Sequence, residues 1–560
     1  GARRHVMLEL RGTPAAPGAA IGAPWIHRAL VASGPARLDL VEAASAAAAE
    51  IGGLAIRLRD IGQEAEAEIL DAQAMMAMDP ELLDATRRRI AGGTDDAAAV
   101  VAAGEEVARA FEEIGDEVLS ARGADVRDVA GRIARHLTGA AFQGLERRSV
   151  VVAHDLPPSV TVELDRSLLA AIALEAGSRT SHAAILSRSL GIPAVVGVAG
   201  LREAVASAAE LGVDGGAGIV FIDPDAETSA RLASIANQAG ERARGDAELA
   251  GRPLATADGH RVVCAANIGD PSGAADAVAA GAEAIGLFRT EFAFAGRRAA
   301  PDEATQAEAY ATVLRAAGDA EVVVRLADIG GDKPIPFLPI EAEANPFIGV
   351  RAIRLADRYP ELFPTQVRAI LSASRTVGRP ASIMAPMVAD EADLELVLRL
   401  VADARAAIPG APLPRVGIMI EVPSAVLLAD SLARRVDFMS IGTNDLTQYL
   451  LAADRTNPAL AERQDPLHPA VLRAVARVVA AAAAAPACDV AVCGEMAGDP
   501  AGAQLLIGLG VGELSMEPRA FGAVKRAVAE RTLAELEALA LATQGMRSAA
   551  EVRAAVGAIR

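Results

Sequence analysis

At 560 residues with a formal net charge of −19, the chain is too long for one core and too acidic to be drawn to nucleic acid or anionic lipid. Its hydrophobic fraction is 52% but aromatics supply only 3%, so the cores must be built from Ala, Val, Leu and Ile. Cys264, Cys488 and Cys493 cannot frame a disulfide scaffold, and the longest apolar run, Val478 to Cys488, contains Pro486 and is too short to span a bilayer. A reducing cytoplasm without membrane insertion is the expectation, and no signal peptide is evident. Gly1 in the place of an initiator methionine leaves a longer polypeptide open.

Residues 1–30 read as short strands punctuated by Gly12, Pro14, Pro17, Gly18 and Gly22. From about Leu38 to Leu145 the chain turns to Ala- and Glu-rich helical stretches, such as Leu40 to Gln73 and Asp95 to Leu119. A helical bundle inserted within residues 34–145 is expected. Strand patterning returns at Ser149 to Ala153 and runs through Ile219 to Ile222. Residues 1–30 and 148–225 therefore read as one α/β domain interrupted by the bundle.

Inside that domain a buried strand, Ala170 to Leu174, leads through Gly177-Ser178-Arg179-Thr180 into an amphipathic helix beginning near Ser181. His182 falls in the first turn of this helix, where backbone N–H groups lack partners and the dipole is positive. An anion on or beside His182 would be stabilised there. The plainer alternative is a histidine that only caps the helix.

Residues 226–251 form a mostly polar linker helix. Beyond it, over 252–560, a short apolar strand, a polar motif and a helix recur. Eight strands are predicted: Val262–Ala266, Ala284–Leu287, Val322–Leu326, Ser382–Ala385, Val416–Ile420, Phe438–Ile441, Val490–Val492 and Glu513–Ser515. Eight βα units indicate a (β/α)8 TIM barrel with its site at the C-terminal strand ends. Those ends carry Asn267, Arg289, Glu291, Arg325, Asp328, Met387, Glu421, Asn444, Asp445, Cys493, Glu495 and Ser515. Glu421 and Asp445 are hard oxygen ligands suited to Mg2+, Arg289 and Arg325 suit phosphate or carboxylate, and Cys493 can act as acid or base. Each alone also suits a structural salt bridge; together they indicate a Mg2+ site for a small phosphorylated acid. A G-x-x-x-x-G-K-[ST] loop is absent, because neither Lys333 nor Lys525, the only lysines, has that setting.

Long motifs then resemble one family. They are Gly12 to Gly18, Ala124 to Asp128, Gly177 to Gly197, Gly286-Leu287-Phe288-Arg289-Thr290-Glu291-Phe292, Asp328 to Lys333, Glu343 to Arg351, Ile441 to Tyr449 and Cys493 to Gly498. These resemble Enzyme I of the bacterial phosphotransferase system, the phosphoenolpyruvate–protein phosphotransferases, over nearly the whole chain. The resemblance implies a multidomain α/β protein: a phosphohistidine domain with an inserted bundle, a linker helix and a phosphoenolpyruvate-binding barrel. It implies transfer of phosphate from phosphoenolpyruvate to His182 and on to a histidine of the phosphocarrier protein HPr, leaving pyruvate. By the same resemblance Glu421 and Asp445 hold Mg2+; Arg289, Arg325, Arg351, Asn444 and Arg455 bind the substrate; Cys493 protonates the enolate carbon. Arg351 and Arg455 rest on the resemblance alone.

The family docks HPr on the bundle, where Glu64, Glu68 and Asp71 stand beside Met75 and Met78, a pairing suited to a basic partner with an apolar patch. A solvated face over a Met-lined core is the alternative. Gln73 stands where the family usually has His, and Leu326-Ala327 where it usually has Thr and Met. The resemblance further implies a homodimer through the barrel, and His182 must reach both the barrel and the docked partner by reorientation about the linker. Alternatives are the Enzyme I part of a fused multiphosphoryl transfer protein, a regulatory nitrogen-type relay component, and a pyruvate phosphate dikinase-like enzyme. The last would carry an ATP-grasp domain where this chain has only the bundle.

Overall fold

The structure is a computed structural model that describes residues 7–27, 37–60, 64–113, 117–140, 142, 144–177, 181–294, 299–331, 337–341, 343–455, 457, 460, 463–485 and 487–558. It divides into two compact units, Gly1–Glu241 and Arg242–Arg560.

In the first unit, β1 (Leu8–Arg11), β2 (Thr13–Ala16) and β3 (Ala19–Ile26) precede five helices. These are α1 (Leu40–Asp60), α2 (Glu64–Met76), α3 (Pro80–Ala91), α4 (Asp96–Glu113) and α5 (Glu117–Thr138). The chain then makes β4 (Ser149–Ala153), α6 (Pro158–Glu163), β5 (Leu169–Leu174), α7 (His182–Leu190), β6 (Ala194–Val196), α8 (Leu201–Ala204), β7 (Leu211–Asp214) and β8 (Ile219–Ile222). The eight strands form one sheet in the order β1-β8-β7-β3-β4-β5-β6-β2. β3 pairs parallel with β4, Ala23 opposite Ser149 and Ile26 opposite Val152, so the chain rejoins the sheet beside the strand it left. The run Val150 to Ala153 is continuously apolar because both faces are covered: Val151 and Ala153 face one core, Val150 and Val152 the other. The stretch read as one helical run, Leu40 to Gln73, is two helices, α1 and α2.

Where the bundle meets α6, one guanidinium holds three elements together. Arg132 of α5 is fully buried and pairs with Asp128 at 2.9 Å, with Glu163 of α6 at 3.0 Å, and with Glu50 of α1. Arg135 adds a contact to Glu50 at 3.0 Å, and Ser159 Oγ donates to Asp128 at 2.6 Å. Burial opposes the charge on Arg132, but the surrounding carboxylates outweigh it and hold the guanidinium protonated.

The linker is α9 (Ala226–Ala250), and the division between the units falls within it. Only Thr228 and Leu232 of α9 are buried, which matches its polar sequence. In the second unit a two-residue strand β9 (Leu254–Ala255) forms an antiparallel pair with β10 (Arg261–Ile268). β10 opens a barrel completed by β11 (Ala284–Phe288), β12 (Glu321–Arg325), β13 (Ser382–Ala385), β14 (Val416–Ile420), β15 (Phe438–Ile441), β16 (Asp489–Val492) and β17 (Glu513–Met516). Each strand pairs parallel with the next and β17 with β10; the β10–β11 pairing completes the closed eight-stranded barrel. Alternation sorts the side chains: Val322, Val324 and Leu326 pack outward against the helices, whereas Leu287, Val323, Met384, Met419, Phe438 and Cys493 fill the bore.

Removing the buried cation with Arg132→Ala leaves Asp128, Glu50 and Glu163 without it and should lower the stability of the first unit by about 3–5 kcal/mol. Trp25, the only tryptophan, stacks on His27 at 5.7 Å and belongs to the same unit, so urea denaturation followed by its fluorescence reads the change. An unchanged midpoint would show that the carboxylates need no such counter-charge.

Candidate active site

Strand register brings the chemistry to one level of the barrel mouth. Ile420 pairs with Ile441 and Ile441 with Val492, so Glu421, Gly442 and Cys493 emerge side by side. The backbone ladder continues through them: Gly442 N–H donates to Ile420 O and Cys493 N–H to Ile441 O, both at 3.1 Å. A Cβ on Gly442 would stand 2.8 Å from Glu421 Oε2, so only glycine lets that carboxyl lean across. On the opposite wall Arg325, last residue of β12, points inward by the parity that places Val323 in the bore.

Arg325 donates to Glu291 Oε1 at 2.8 Å, and the same oxygen accepts the Asp328 N–H at 2.7 Å. Asp328 in turn takes Arg351 at 2.7 and 2.8 Å and Arg325 at 3.5 Å. Arg351 lies 3.6 Å from Asp445, which meets Arg455 at 3.5 Å on its other oxygen. Arg325, Arg351, Asp328, Glu421 and Asp445 are all buried. Burial works against the charge on both arginines, yet the adjoining carboxylates hold their pKa values above the ordinary guanidinium value. Even so, Arg325 Nε and Arg351 Nη1 are buried donors without a hydrogen bond, and Asp445 Oδ1 is a buried acceptor without one.

Glu421 accepts the Met387 N–H at 2.7 Å, from a residue held at φ +60°, but burial and then the neighbouring Asp445 and Asp328 charges push its carboxyl up to about 8. Burial likewise pushes the Cys493 thiol up to about 11, so it carries its proton at neutral pH. Asn444 and Glu495 clasp each other, Asn444 Nδ2 donating to Glu495 Oε1 at 3.2 Å and Glu495 N–H to Asn444 Oδ1 at 2.8 Å. Asn267 donates to Cys493 O at 3.0 Å and accepts from Ser515 at 2.7 Å. Arg289 is exposed.

The structure thus joins Arg325, Arg351, Asp445 and Arg455 in one ionic network with Asp328, sets Glu421 and Cys493 beside it, and pairs Asn444 with Glu495. Arg351 and Arg455, which strand ends did not indicate, arrive on longer loops; Arg455 also covers the Phe347 ring at 5.2 Å. Leu326 is buried in the layer between barrel and helices, so this departure from the family falls in packing. Gln366, buried on the helix Leu362–Val377, had no signal in the sequence. It accepts the Ala327 N–H at 3.0 Å and donates to Thr290 Oγ1 at 2.9 Å, and Thr290 donates to Arg325 O at 2.9 Å.

In the first unit His182 is the first residue of α7, after Ser181 at the cap; its side chain and residues 178–180 lie outside the described residues. α7 ends at Gly191, φ +67°, and Arg188 anchors it to Ala15 O at 2.7 Å. On α2, Met75 is 74% exposed, while Gln73 is fully buried and donates to Asp125 at 2.7 Å; Met78, in the turn that follows α2, is 41% exposed. Asp71 is half-buried; the side chains of Glu64 and Glu68 lie outside the described residues.

A closed parallel barrel whose mouth gathers buried guanidiniums around carboxyls is that of an enzyme class built to hold a small anionic substrate. Family models agree: "PEP-utilising enzyme, PEP-binding domain" matches residues 243–533, "PEP-utilising enzyme, mobile domain" residues 145–218 and "PEP-utilising enzyme, N-terminal" residues 11–122. A phosphoenolpyruvate-protein phosphotransferase of Streptomyces coelicolor is 42% identical over 503 residues, covering 89% of this chain and 88% of that protein. One of Haloferax volcanii is 41% identical, covering 86% and 84%. The multiphosphoryl transfer protein of Xanthomonas campestris is 41% identical over 87% of this chain, which spans only 59% of that protein's length. The chain belongs to the phosphoenolpyruvate–protein phosphotransferase family, Enzyme I, and is an enzyme of that family.

Gln366→Leu orphans the buried Ala327 N–H, worth about 1–3 kcal/mol, and releases Thr290. Hydrogen exchange of the segment Leu326 to Ile329 should accelerate by at least about fivefold; wild-type protection there would show that the arginine-bearing strand end is held by other means.

Proposed function

We propose that the chain takes the phosphoryl group of phosphoenolpyruvate onto His182 and passes it to a histidine of the phosphocarrier protein HPr, releasing pyruvate, the first step of sugar phosphotransfer. The observation that carries this reading is the pair of unused buried donors, Arg325 Nε and Arg351 Nη1, beside Glu421 and Cys493. Buried guanidiniums are costly unless their N–H groups are taken, and a phosphate or carboxylate is the complementary acceptor.

Arg325, Arg351 and Arg455, with exposed Arg289 and the amide of Asn444, grip the phosphate and carboxylate. The carboxylates already holding four of these side chains fix them in advance, so binding orders little that was loose. The P–O bond to the enol oxygen breaks as an N–P bond forms at His182, and the enolate carbon takes the proton of Cys493, which is available because burial keeps the thiol neutral. Glu421 and Asp445 would hold Mg2+: one is a carboxyl whose ionised form is opposed by its surroundings, the other keeps a buried oxygen free of hydrogen bonds, and a hard cation satisfies both. When bound, such an ion neutralises phosphate oxygens.

In the first unit, an N-terminal position on α7 favours phosphate on His182. Exposed Met75 and Met78, with half-buried Asp71 and, earlier in the sequence, Glu64 and Glu68, would offer HPr an adaptable apolar patch on an acidic segment. Family resemblance adds a cytoplasmic homodimer joined through the barrel; among the described residues no helix is long and apolar enough to cross a membrane. The multiphosphoryl transfer proteins support a second form, in which this chain is part of a longer fused relay.

With Mg2+ and labelled phosphoenolpyruvate, the protein should gain acid-labile, base-stable label and release pyruvate, whereas His182→Ala should gain none; retained label in that variant would sink the assignment. Cys493→Ala should lower pyruvate formation by about 100-fold or more, the scale of a lost general acid. Its phosphoenolpyruvate affinity, read by calorimetry, should stay near wild type, and equal loss of both would remove Cys493 from the proton step.

A further inference from the structure

The end of the barrel opposite the catalytic mouth is open. A cavity of about 530 Å³ enters between the first residues of β12, β15, β16 and β17. Its polar lining is Glu321, Arg415, Ser440, Asp489 and Glu513.

These groups do not balance one another. Arg415 is committed to Glu321 at 3.1 and 3.2 Å, to Asp489, and to Asp437 O at 3.0 Å, and it covers the Phe438 ring at 5.5 Å. Glu321 also accepts Ser382 Oγ at 2.6 Å. Glu513 forms no hydrogen bond or ion pair with the described residues, although it faces the same bore. Deeper in, Ser440 is 1% exposed; the Cys493 thiol is its polar neighbour on the mouth side, and its Oγ makes no hydrogen bond of good geometry. Apolar walls come from Val263, Val323 and Phe438.

We infer that this cavity is a binding site for a small organic cation, an ammonium or guanidinium on a short apolar stem, with Glu513 as counter-ion, Ser440 Oγ as an acceptor and Phe438 and its aliphatic neighbours around the stem. An anion is disfavoured, because three carboxyl groups face a single guanidinium already paired with two of them. A half-buried carboxyl without a cation is the unfavourable arrangement that such a ligand relieves.

The electrostatics agree. Burial, then the Glu321 charge, with Asp489 adding to it and Arg415 opposing, pushes the Glu513 carboxyl up to about 7. A bound cation favours the ionised form, so binding at pH 6 releases a proton and affinity rises with pH through about 7.

The probe is n-butylammonium, with butyrate as the anion of matching size, titrated calorimetrically into the full chain at pH 6 and pH 8. Butylammonium should bind more tightly at pH 8 and release protons at pH 6; butyrate should not bind. Glu513→Gln should weaken binding by about tenfold or more, the worth of a charge-assisted hydrogen bond. Ser440→Ala should weaken it less. Both variants are first checked for wild-type circular dichroism, and Glu513→Gln should keep phosphoenolpyruvate-dependent self-phosphorylation. No butylammonium binding to the wild type, equal binding to Glu513→Gln, or butyrate binding as tightly overturns the inference. Loss of self-phosphorylation in His182→Ala is a separate readout, so this site can fail while the enzymatic reading stands.

Discussion

A carboxylate taken out of water costs several kcal/mol unless a cation comes with it, and among the described residues two guanidiniums close on Asp328. The remainder of the catalytic mouth follows from this constraint. Arg325 and Arg351 are then buried charges themselves, so Glu291 must back the first and Asp445 approach the second. What results is a chain of alternating sign in which each member is held by its neighbours and two N–H groups are left over. Their rigidity comes from the ion pairs, and their availability from the fact that the pairs do not use every donor.

Placement of that network depends on the barrel. Parallel pairing sets Glu421, Gly442 and Cys493 at one height, and strand parity decides that Arg325 faces the bore while Leu326 faces the helices. Outside the bore the shell is Ala, Val, Leu and Ile with a few rings such as Phe288 and Tyr310, edge to face at 6.1 Å. Small side chains let the helices approach closely, and their close packing keeps the strand ends from drifting.

Most of the strands were legible as short apolar runs cut off by glycine, proline or a charged residue. Ser382–Ala385, Val416–Ile420 and Phe438–Ile441 end where composition changes, and β12 was misjudged by one residue because Leu326 continues the apolar run after Arg325. Strand-end reasoning pointed to Glu421 and Cys493, whose positions follow from the ladder, and to Asp445, in the helix that begins just after Gly442. It could not find Arg351 or Arg455, which return to the mouth along loops without periodicity, nor Gln366, a lone amide on an amphipathic helix. Gln73 shows the same limit. Its burial against Asp125 depends on how α2 packs on α5, which no local pattern encodes.

Strand parity also acts as an error check during folding. A slip of one residue on β12 or β14 would turn Arg325 or Glu421 into the apolar shell and bring Val324 or Ile420 into the bore. There the charge would meet no partner, and the misregistered barrel would be less stable by several kcal/mol. The same charges proposed to grip a substrate would thereby reject wrong pairings before any substrate is present, so the barrel mouth doubles as the barrel's proofreading mark.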